Sequence, residues 1–269
     1  MSDEGMNPGQ IQVGCQTNAW PVDPSQPETL FATLKEIHQL RFGGFETGFR
    51  NILPLADERG SLHSHQHGLI FFGVHIFLHE YDAETRLAPI GLVLKVATAA
   101  SKLGAERLIL SGAPALGIRR TESLQKKAAA LNEIATRIQA LGLKLAYHNH
   151  GPEFEGPQPE IETLLSATDP LLVCFLLDAG HAFRAGIDVP AFISSHDGRL
   201  AGIHLRDFAK RSQVPLGQGD FPLAQVATAL KSKKWSGWVL AEEEREDSSK
   251  PGLSAARPAR DALKHAFGI

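Results

Sequence analysis

Eight short apolar segments recur along this chain at intervals of about 30 residues, and a helical segment follows each of them. Most of these runs are continuous in Val, Ile, Leu and Phe and do not alternate with polar residues. Such strands are typical of parallel sheets whose outer face is covered by helices. The predicted strands cover residues 11–15, 43–46, 69–77, 106–110, 143–148, 171–177, 200–205 and 237–241.

The segments between these strands carry apolar residues at the three- and four-residue spacing of an amphipathic helix. In the segment before the fifth strand, Leu124, Leu131 and Ile138 share one face, and Gly142 ends the helix. The predicted helices cover residues 27–40, 52–68, 83–103, 119–141, 160–167, 189–195, 222–231 and 253–267.

This repeating order predicts an α/β fold, and eight strand–helix units in about 250 residues predict a (β/α)₈ or TIM barrel. We expect one barrel domain over residues 11–269, preceded by a disordered tail of residues 1–10. A doubly wound open sheet is the alternative fold. It is disfavoured because no glycine-rich GxGxxG turn follows the first strand.

Polar residues that could bind a metal or a substrate stand where several of these strands end. In a barrel the C-terminal ends of all strands converge on one mouth, so residues far apart in sequence would face a common centre. Carboxylates mixed with imidazoles, without thiolates, suit one divalent cation such as Mn²⁺, Co²⁺, Mg²⁺ or Zn²⁺. These strand-end residues are Glu46, His148, His150, Glu153, Asp178, His181, His204, Arg206 and Glu242.

The fifth strand end carries the densest of these groups, in the stretch LKLAYHNHGPEFEG. Each polar group buried there needs a hydrogen-bond partner or a metal. Taken singly, the residues also have structural explanations: the stretch could be a polar loop with satisfied histidines, Asp178 a helix cap and His204 a core histidine. The repetition of the pattern at successive strand ends favours the metal site.

Composition limits the other classes of function. A net charge of −3 gives no basic surface for nucleic acid, and no apolar run approaches the ~18–20 residues of a membrane helix. Because the polar N-terminus lacks the apolar core of a signal peptide, we expect a cytoplasmic protein without membrane or nucleic-acid partners. A homo-oligomer is compatible with the sequence. The His63–His67 tract is either a metal chelator or a solvated surface segment.

Several strand-end motifs are familiar as a set. The chain resembles the xylose-isomerase-like TIM barrels, which group sugar (phosphate) isomerases and epimerases, inosose-type dehydratases and relatives of AP endonucleases. The resemblance extends over essentially the whole chain from Ile11 and is strongest in the second half. The motifs that carry it are GCQTNAWP, GFETGFRN, YHNHGPEFE, LLDAGHA, IHLRDF followed by LGQGDF, and GWVLAEEER.

The resemblance implies a metal held by a Glu, an Asp, a His and a second Glu from strands five to eight. Asp178, His204 and Glu242 match the last three ligands. Many members carry the first Glu where this chain has His148, so either His148 replaces it or Glu153 folds back to the metal. We favour Glu153, because a hard-cation site whose ligand also acts as a base prefers a carboxylate.

The implied reaction is that of a sugar isomerase or epimerase acting on a keto-sugar or a related polyol. Proton transfer would pass through a metal-stabilised enediolate, with Glu153 and Glu242 as the acid–base pair. His148 and His181 would orient or protonate substrate oxygens. Further substrate contacts are expected from Trp20, Glu46, His150 and Arg206.

Three other functions remain open at this stage. The same site would make a dehydratase if a neighbouring hydroxyl of a keto-sugar or keto-cyclitol were the leaving group. A non-catalytic sugar-binding barrel is also compatible with the sequence. An AP endonuclease is disfavoured, because its trinuclear zinc site needs additional ligands. The fourth strand ends in Leu110-Ser111-Gly112 without histidine, and the loop at 217–220 lacks an Asp-x-His pair.

Overall fold

The computed structural model describes residues 7–115, 120–156, 159–210, 212–243 and 252–269. Within these ranges eight parallel strands close into a barrel, so the predicted single-domain (β/α)₈ architecture is confirmed. The strands are β1 (Ile11–Gln16), β2 (Gly44–Gly48), β3 (Ile70–Ile76), β4 (Arg107–Ser111), β5 (Lys144–His148), β6 (Val173–Asp178), β7 (Leu200–Leu205), the short β8 (Asp207–Ala209) and β9 (Ser212–Val214), and β10 (Gly237–Ala241). Around the barrel the order is β1-β10-β7-β6-β5-β4-β3-β2.

Helices on the outer face cover this barrel and bury the apolar stripes that the sequence predicted. In the helix before β5, for example, Leu124, Leu131, Ile134 and Ile138 are all buried. The helices are α1 (Pro27–Gln39), α2 (Phe49–Ile52), α3 (Arg59–His65), α4 (Ile90–Leu103), α5 (Arg120–Gln139), α6 (Glu160–Ala167), α7 (Ala179–Arg184), α8 (Val189–His196), α9 (Leu223–Ser232) and α10 (Leu253–Phe267).

Two helix predictions differ from the structure. Helix α4 begins at Ile90, seven residues later than predicted, because Pro89 restricts the backbone before it and stands at the helix N-cap. The predicted helix at 52–68 is interrupted: α2 and α3 are separated by a 3₁₀ turn at Leu53–Leu55 that contains a proline. The antiparallel hairpin of β8 and β9 beyond the seventh barrel strand was not predicted.

The barrel interior contains a separate apolar layer beneath the mouth. It consists of Phe72, Ile109, Ala146, Leu176, Trp238 and Leu240, all essentially inaccessible. Gly44 makes room for the Trp238 ring, since a Cβ at that position would lie 2.5 Å from it. Because side chains two positions apart on a strand face the same side, the next inward residues after 109, 146, 176 and 240 are Ser111, His148, Asp178 and Glu242. A polar layer therefore lies directly above the apolar one.

The N-terminal segment is partly described. Residues 1–6 of the predicted tail lie outside the described ranges, whereas residues 7–10 are held against the turn before β10. The amide of Gly9 donates to the carbonyl of Lys234, and the Ser236 hydroxyl donates to the carbonyl of Asn7. Within the described ranges, no helix combines the length and apolar character needed to cross a membrane.

Candidate metal centre

Three residues of the polar layer and His204 of β7 converge on one point. His148, Asp178, His204 and Glu242 each offer a ligand atom, and these atoms all lie within 4.8 Å of one another. Nε2 of His148 is 3.1 Å from Nδ1 of His204, and that nitrogen is 2.6 Å from Oε2 of Glu242. All four side chains are buried. Such a mixture of imidazole and carboxylate donors is typical of divalent-cation sites in proteins.

Local backbone structure orients Asp178 for this position. It ends β6 and is the N-cap of α7, where its Oδ1 accepts a hydrogen bond from the amide of His181 at 2.8 Å. The side chain of Asn149 pairs with both backbone groups of Asp178, at 3.0 and 3.1 Å. The cap interaction uses Oδ1 alone, so Oδ2 remains directed at the cluster. The helix-cap and metal-ligand interpretations of Asp178 are therefore compatible.

The charges around the cluster also suit a divalent cation. The site contains three carboxylates, those of Asp178, Glu242 and Glu46, and one guanidinium, that of Arg206. Nε of Arg206 is 2.9 Å from Asp178 Oδ2, and its Nη2 is 2.5 Å from Glu242 Oε2. These two carboxylate oxygens accept no hydrogen bond of regular geometry from the described residues. Arg206, together with His204 when that ring is protonated, leaves a net negative charge in a buried site, which is costly without a compensating cation.

Addition of Mn²⁺ or Co²⁺ to chelator-treated protein is expected to raise its melting temperature. Binding to the folded state alone should add about 2.7 kcal/mol to the free energy of unfolding at a hundredfold excess over the dissociation constant. Differential scanning fluorimetry across a metal titration measures the effect. Asp178→Asn and Glu242→Gln should abolish it, and a wild-type melting temperature that responds neither to metal nor to chelator would contradict the site.

The titratable groups of the cluster perturb one another strongly. Burial alone would lower the pKa of His204, but the carboxylates of Glu46 and Glu242 outweigh it and hold this pKa well above its ordinary value. Burial, together with His75 and His204, lowers the pKa of His148 well below its usual range. For Glu242, burial is opposed by Arg206 and His204, and its pKa lies well below normal. Glu242 is therefore an ionised carboxylate and His148 a neutral imidazole.

Glu153, the fifth-strand ligand favoured from the sequence, does not join this cluster. It lies in a 3₁₀ turn at Gly151–Phe154, where it accepts hydrogen bonds from the Tyr147 hydroxyl and the His150 amide. Its Oε1 is 3.8 Å from Nζ of Lys127, a fully buried lysine of α5. Burial raises the pKa of Glu153 to about 7, although Lys127 opposes the shift. The Gly151-Pro152 turn directs this carboxylate away from the mouth and toward α5.

A cavity of about 430 Å³ opens above the cluster, and five of the predicted site residues line it. Two of the four predicted substrate contacts do not reach it. Trp20 is buried and donates its indole N–H to Glu36, and Glu46 is fully buried below the cavity floor, 2.7 Å from His204. The predicted residues that line the cavity are His148, His150, His181, Arg206 and Glu242.

Four residues that the sequence argument left out belong to this region. Two of them lie at the C-terminal ends of β3 and β4 and contact each other: His75 and Ser111, of which Ser111 also contacts His148. The side chain of Asn18 donates a hydrogen bond to Glu242 Oε1 at 3.2 Å. Phe77 lines the cavity, and its side chain is exposed. His75 and Ser111 follow the strand-end rule that found the others. Asn18 and Phe77 lie just past strands β1 and β3.

The histidine tract of α3 is not a metal cluster in the described structure. His63 contacts Gln66, His65 bonds the carbonyl of Ser61 and stacks on Phe31, and His67 lies beside His38. These rings therefore have separate partners on the surface, as the solvated interpretation predicts.

A family model for the xylose isomerase-like TIM barrel matches residues 34–266. The inosose dehydratase of Salmonella typhimurium (strain LT2) is 31% identical over 136 residues, covering 43% of this chain and 45% of that protein. The inosose dehydratase of Clostridium perfringens (strain 13) is 26% identical over 163 residues, which cover 53% of this chain and 54% of that protein. The chain spans about half the length of the curated relatives it matches.

Solved structures match over nearly the full chain. An L-ribulose 3-epimerase has a TM-score of 0.76 at 19% identity and covers 96% of this chain and 95% of its own. The probable 3-DHS dehydratase of Bacillus anthracis has a TM-score of 0.74 at 13% identity, with coverage of 94% and 98%. At these identities the likeness establishes the shared fold.

Proposed function

This chain belongs to the xylose isomerase-like TIM barrel family, and from that premise we propose that it is a divalent-metal-dependent dehydratase of a keto-cyclitol or keto-sugar. His148, Asp178, His204 and Glu242 would hold the cation. When bound, the cation would polarise the substrate carbonyl and acidify the neighbouring C–H bond. The cavity above the cluster would hold the sugar or cyclitol ring.

One observation carries the choice of dehydratase over epimerase. The isomerase or epimerase mechanism expected from the sequence uses Glu153 and Glu242 as a pair of carboxylate acid–bases. Glu153 is bonded to Tyr147 and His150 and lies beside Lys127, so Glu242 is the only member of that pair on the cavity wall. Imidazoles are the other acid–base groups that line the cavity.

An elimination can use two of these imidazoles. Burial, followed by the proximity of His181, lowers the pKa of His150 to about 4, so this ring is neutral near pH 7 and can accept the proton from the α-carbon. His181 has its ring centroid 5.4 Å from that of His150 and can protonate the departing β-hydroxyl. One proton and one hydroxide leave as water, and the carbon–carbon double bond forms next to the ketone.

The curated relatives support the same choice, since those reported above are named inosose dehydratases. The motifs YHNH of the fifth strand and GWVLAEEE of the eighth resemble the dehydratase branch almost as much as the epimerase branch, so the choice rests on the relatives and on the cavity wall.

The test is turnover of a 2-keto-inositol by the Mn²⁺-loaded protein in deuterated water. We expect loss of one water per substrate, seen by mass spectrometry and as ultraviolet absorbance of the conjugated product. His181→Asn should lower kcat by about 10²–10⁴-fold, whereas His63→Asn on the surface should leave it unchanged. Deuterium incorporation without water loss, across keto-cyclitols and keto-sugars, would replace the dehydratase by an epimerase. No reaction with any of them would indicate a binding barrel.

A further inference from the structure

A closed chain of contacts links the buried carboxylate of Glu46 to both cluster histidines. Oε2 of Glu46 is 2.7 Å from Nε2 of His204, and Oε1 is 3.3 Å from Nδ1 of His75. Nε2 of His75 is 2.7 Å from the Ser111 hydroxyl, which is 3.3 Å from Nδ1 of His148. The chain closes where His148 and His204 meet at 3.1 Å.

Glu46 determines the direction of hydrogen bonding at its two neighbours. An ionised carboxylate only accepts hydrogen bonds, and each oxygen of Glu46 faces a ring nitrogen, Nε2 of His204 or Nδ1 of His75. His204 must therefore carry its proton on Nε2. At His75 the 3.3 Å contact with Oε1 lacks regular hydrogen-bond geometry, but a proton on Nδ1 is favoured there because it avoids a lone pair against the carboxylate. With a cation at the cluster His204 would be neutral, and its lone pair would then lie on Nδ1, the nitrogen that faces the cluster.

The remaining contacts transmit this constraint to His148. Since His75 has its proton on Nδ1, its Nε2 accepts the hydrogen of the Ser111 hydroxyl. The oxygen of Ser111 can then accept a hydrogen bond from the Nδ1–H of His148. In this tautomer the Nε2 lone pair of His148 faces the cluster, 3.8 Å from Asp178 Oδ2 and 4.0 Å from Glu242 Oε2.

We propose that Glu46 is a positioning residue that fixes the tautomers of both cluster histidines, directly at His204 and through His75 and Ser111 at His148. A carboxylate in the outer layer of a metal site typically orients its histidine in this way, and its loss costs about 10- to 100-fold in metal affinity. Here one carboxylate orients two histidines, from β7 and β5, which are separated in the barrel by β6. Because Glu46 is fully buried, it acts on the metal and not on the substrate.

The proposal rests on the metal centre of the proposed function but not on the reaction, so its test measures binding and tautomers. Glu46→Gln keeps the shape of the side chain but offers one acceptor and one donor in place of two acceptors. Either His75 or His204 must then reverse its tautomer. We expect the dissociation constants for Zn²⁺ and Mn²⁺, measured by calorimetry, to rise by about 10- to 100-fold.

Nitrogen correlation spectra of the histidine-labelled Zn²⁺ protein report the tautomers directly. The wild type should show Nε2–H at His204 and Nδ1–H at His75 and His148. Glu160→Gln is the matched control, because it neutralises another fully buried carboxylate, 2.5 Å from Lys127. It should leave both the tautomers and the metal affinity unchanged, although it can lower stability.

Ser111→Ala tests separately the contacts that link Glu46 to His148 through His75 and Ser111. It also provides a test of the proposal if Glu46→Gln does not fold. It should weaken metal binding and release the tautomer of His148 while His204 keeps Nε2–H. Wild-type tautomers and affinities in either folded variant would overturn the corresponding part of the proposal. A wild-type protein that binds neither cation would instead overturn the metal centre itself.

Discussion

Replacing His148 by Phe is expected to deprive the protein of its metal, whereas Glu153→Gln should remain metal-loaded. Phenylalanine keeps a planar ring in the buried position but removes both nitrogens, including the Nε2 that faces Asp178, His204 and Glu242. Loss of a residue that only orients a metal ligand typically raises the dissociation constant by ~10- to 100-fold. Loss of the ligand itself should raise the dissociation constant for Mn²⁺ by more than that. Elemental analysis after dialysis against Mn²⁺, with calorimetry, measures both variants.

Glu153→Gln is the matched control for this experiment, because it neutralises the carboxylate that stands five residues further along the same segment. Gln can still accept a hydrogen bond from the His150 amide or the Tyr147 hydroxyl, so we expect a folded protein with wild-type metal content. The opposite pattern, a metal-loaded His148→Phe and an empty Glu153→Gln protein, would make Glu153 the ligand after all.

Replacing Lys127 by Met is expected to lower the free energy of unfolding by about 3–5 kcal/mol, the usual effect of removing one partner from a buried ion pair. Nζ of Lys127 is 2.5 Å from Glu160 and 3.8 Å from Glu153, and it donates to the carbonyl of Ala113 at 3.1 Å. All three charged side chains are essentially inaccessible. Without the lysine, two carboxylates would remain buried with no cation beside them. Urea denaturation measures the change.

Lys126→Met is the control, since the neighbouring lysine is 43% exposed and pairs with Glu84 and Glu122 at the surface. Exposed pairs of this kind contribute about 0–1 kcal/mol. The double variant Lys127→Met/Glu160→Gln should recover part of the lost stability, because it removes one unpaired charge and keeps an acceptor for the Ala115 amide. Equal effects of Lys127→Met and Lys126→Met would contradict the proposed network.

This network also connects the outer helices to the site. Lys127 of α5 pairs with Glu160 of α6 and lies 3.8 Å from Glu153. Glu153 in turn accepts a hydrogen bond from the backbone amide of His150 at the cavity wall. Correct placement of the His150 ring therefore depends on a buried ion pair outside the cavity. Lys127→Met should lower turnover as well as stability.

The barrel and the ring of strand-end residues could be predicted from the sequence because both depend on local patterns. Continuous apolar runs and helical spacing define the strands and helices without knowledge of distant contacts. Once the strands are parallel and closed, alternation along each strand places Asp178 and Glu242 one step above buried Leu176 and Leu240. His204 faces Asp178 in the register of β6 and β7. The strand-end rule placed all four cluster residues in a larger set, and the resemblance of the strand-end motifs to the family implied Asp178, His204 and Glu242 as ligands.

Only the tertiary structure shows that His148, and not Glu153, lies in the cluster of candidate ligands, and that Trp20 and Glu46 do not line the cavity. The sequence shows a carboxylate five residues beyond the imidazole, but it does not show that Lys127 is buried on α5 and pairs with that carboxylate. Nor does it show that the carboxylate of Glu46 lies between the rings of His204 and His75. A buried charge must find its partner wherever the packed fold brings one within a few ångströms. Such pairings join residues distant in the chain, so no local pattern predicts them, whereas the helix and strand periodicities act within a few residues.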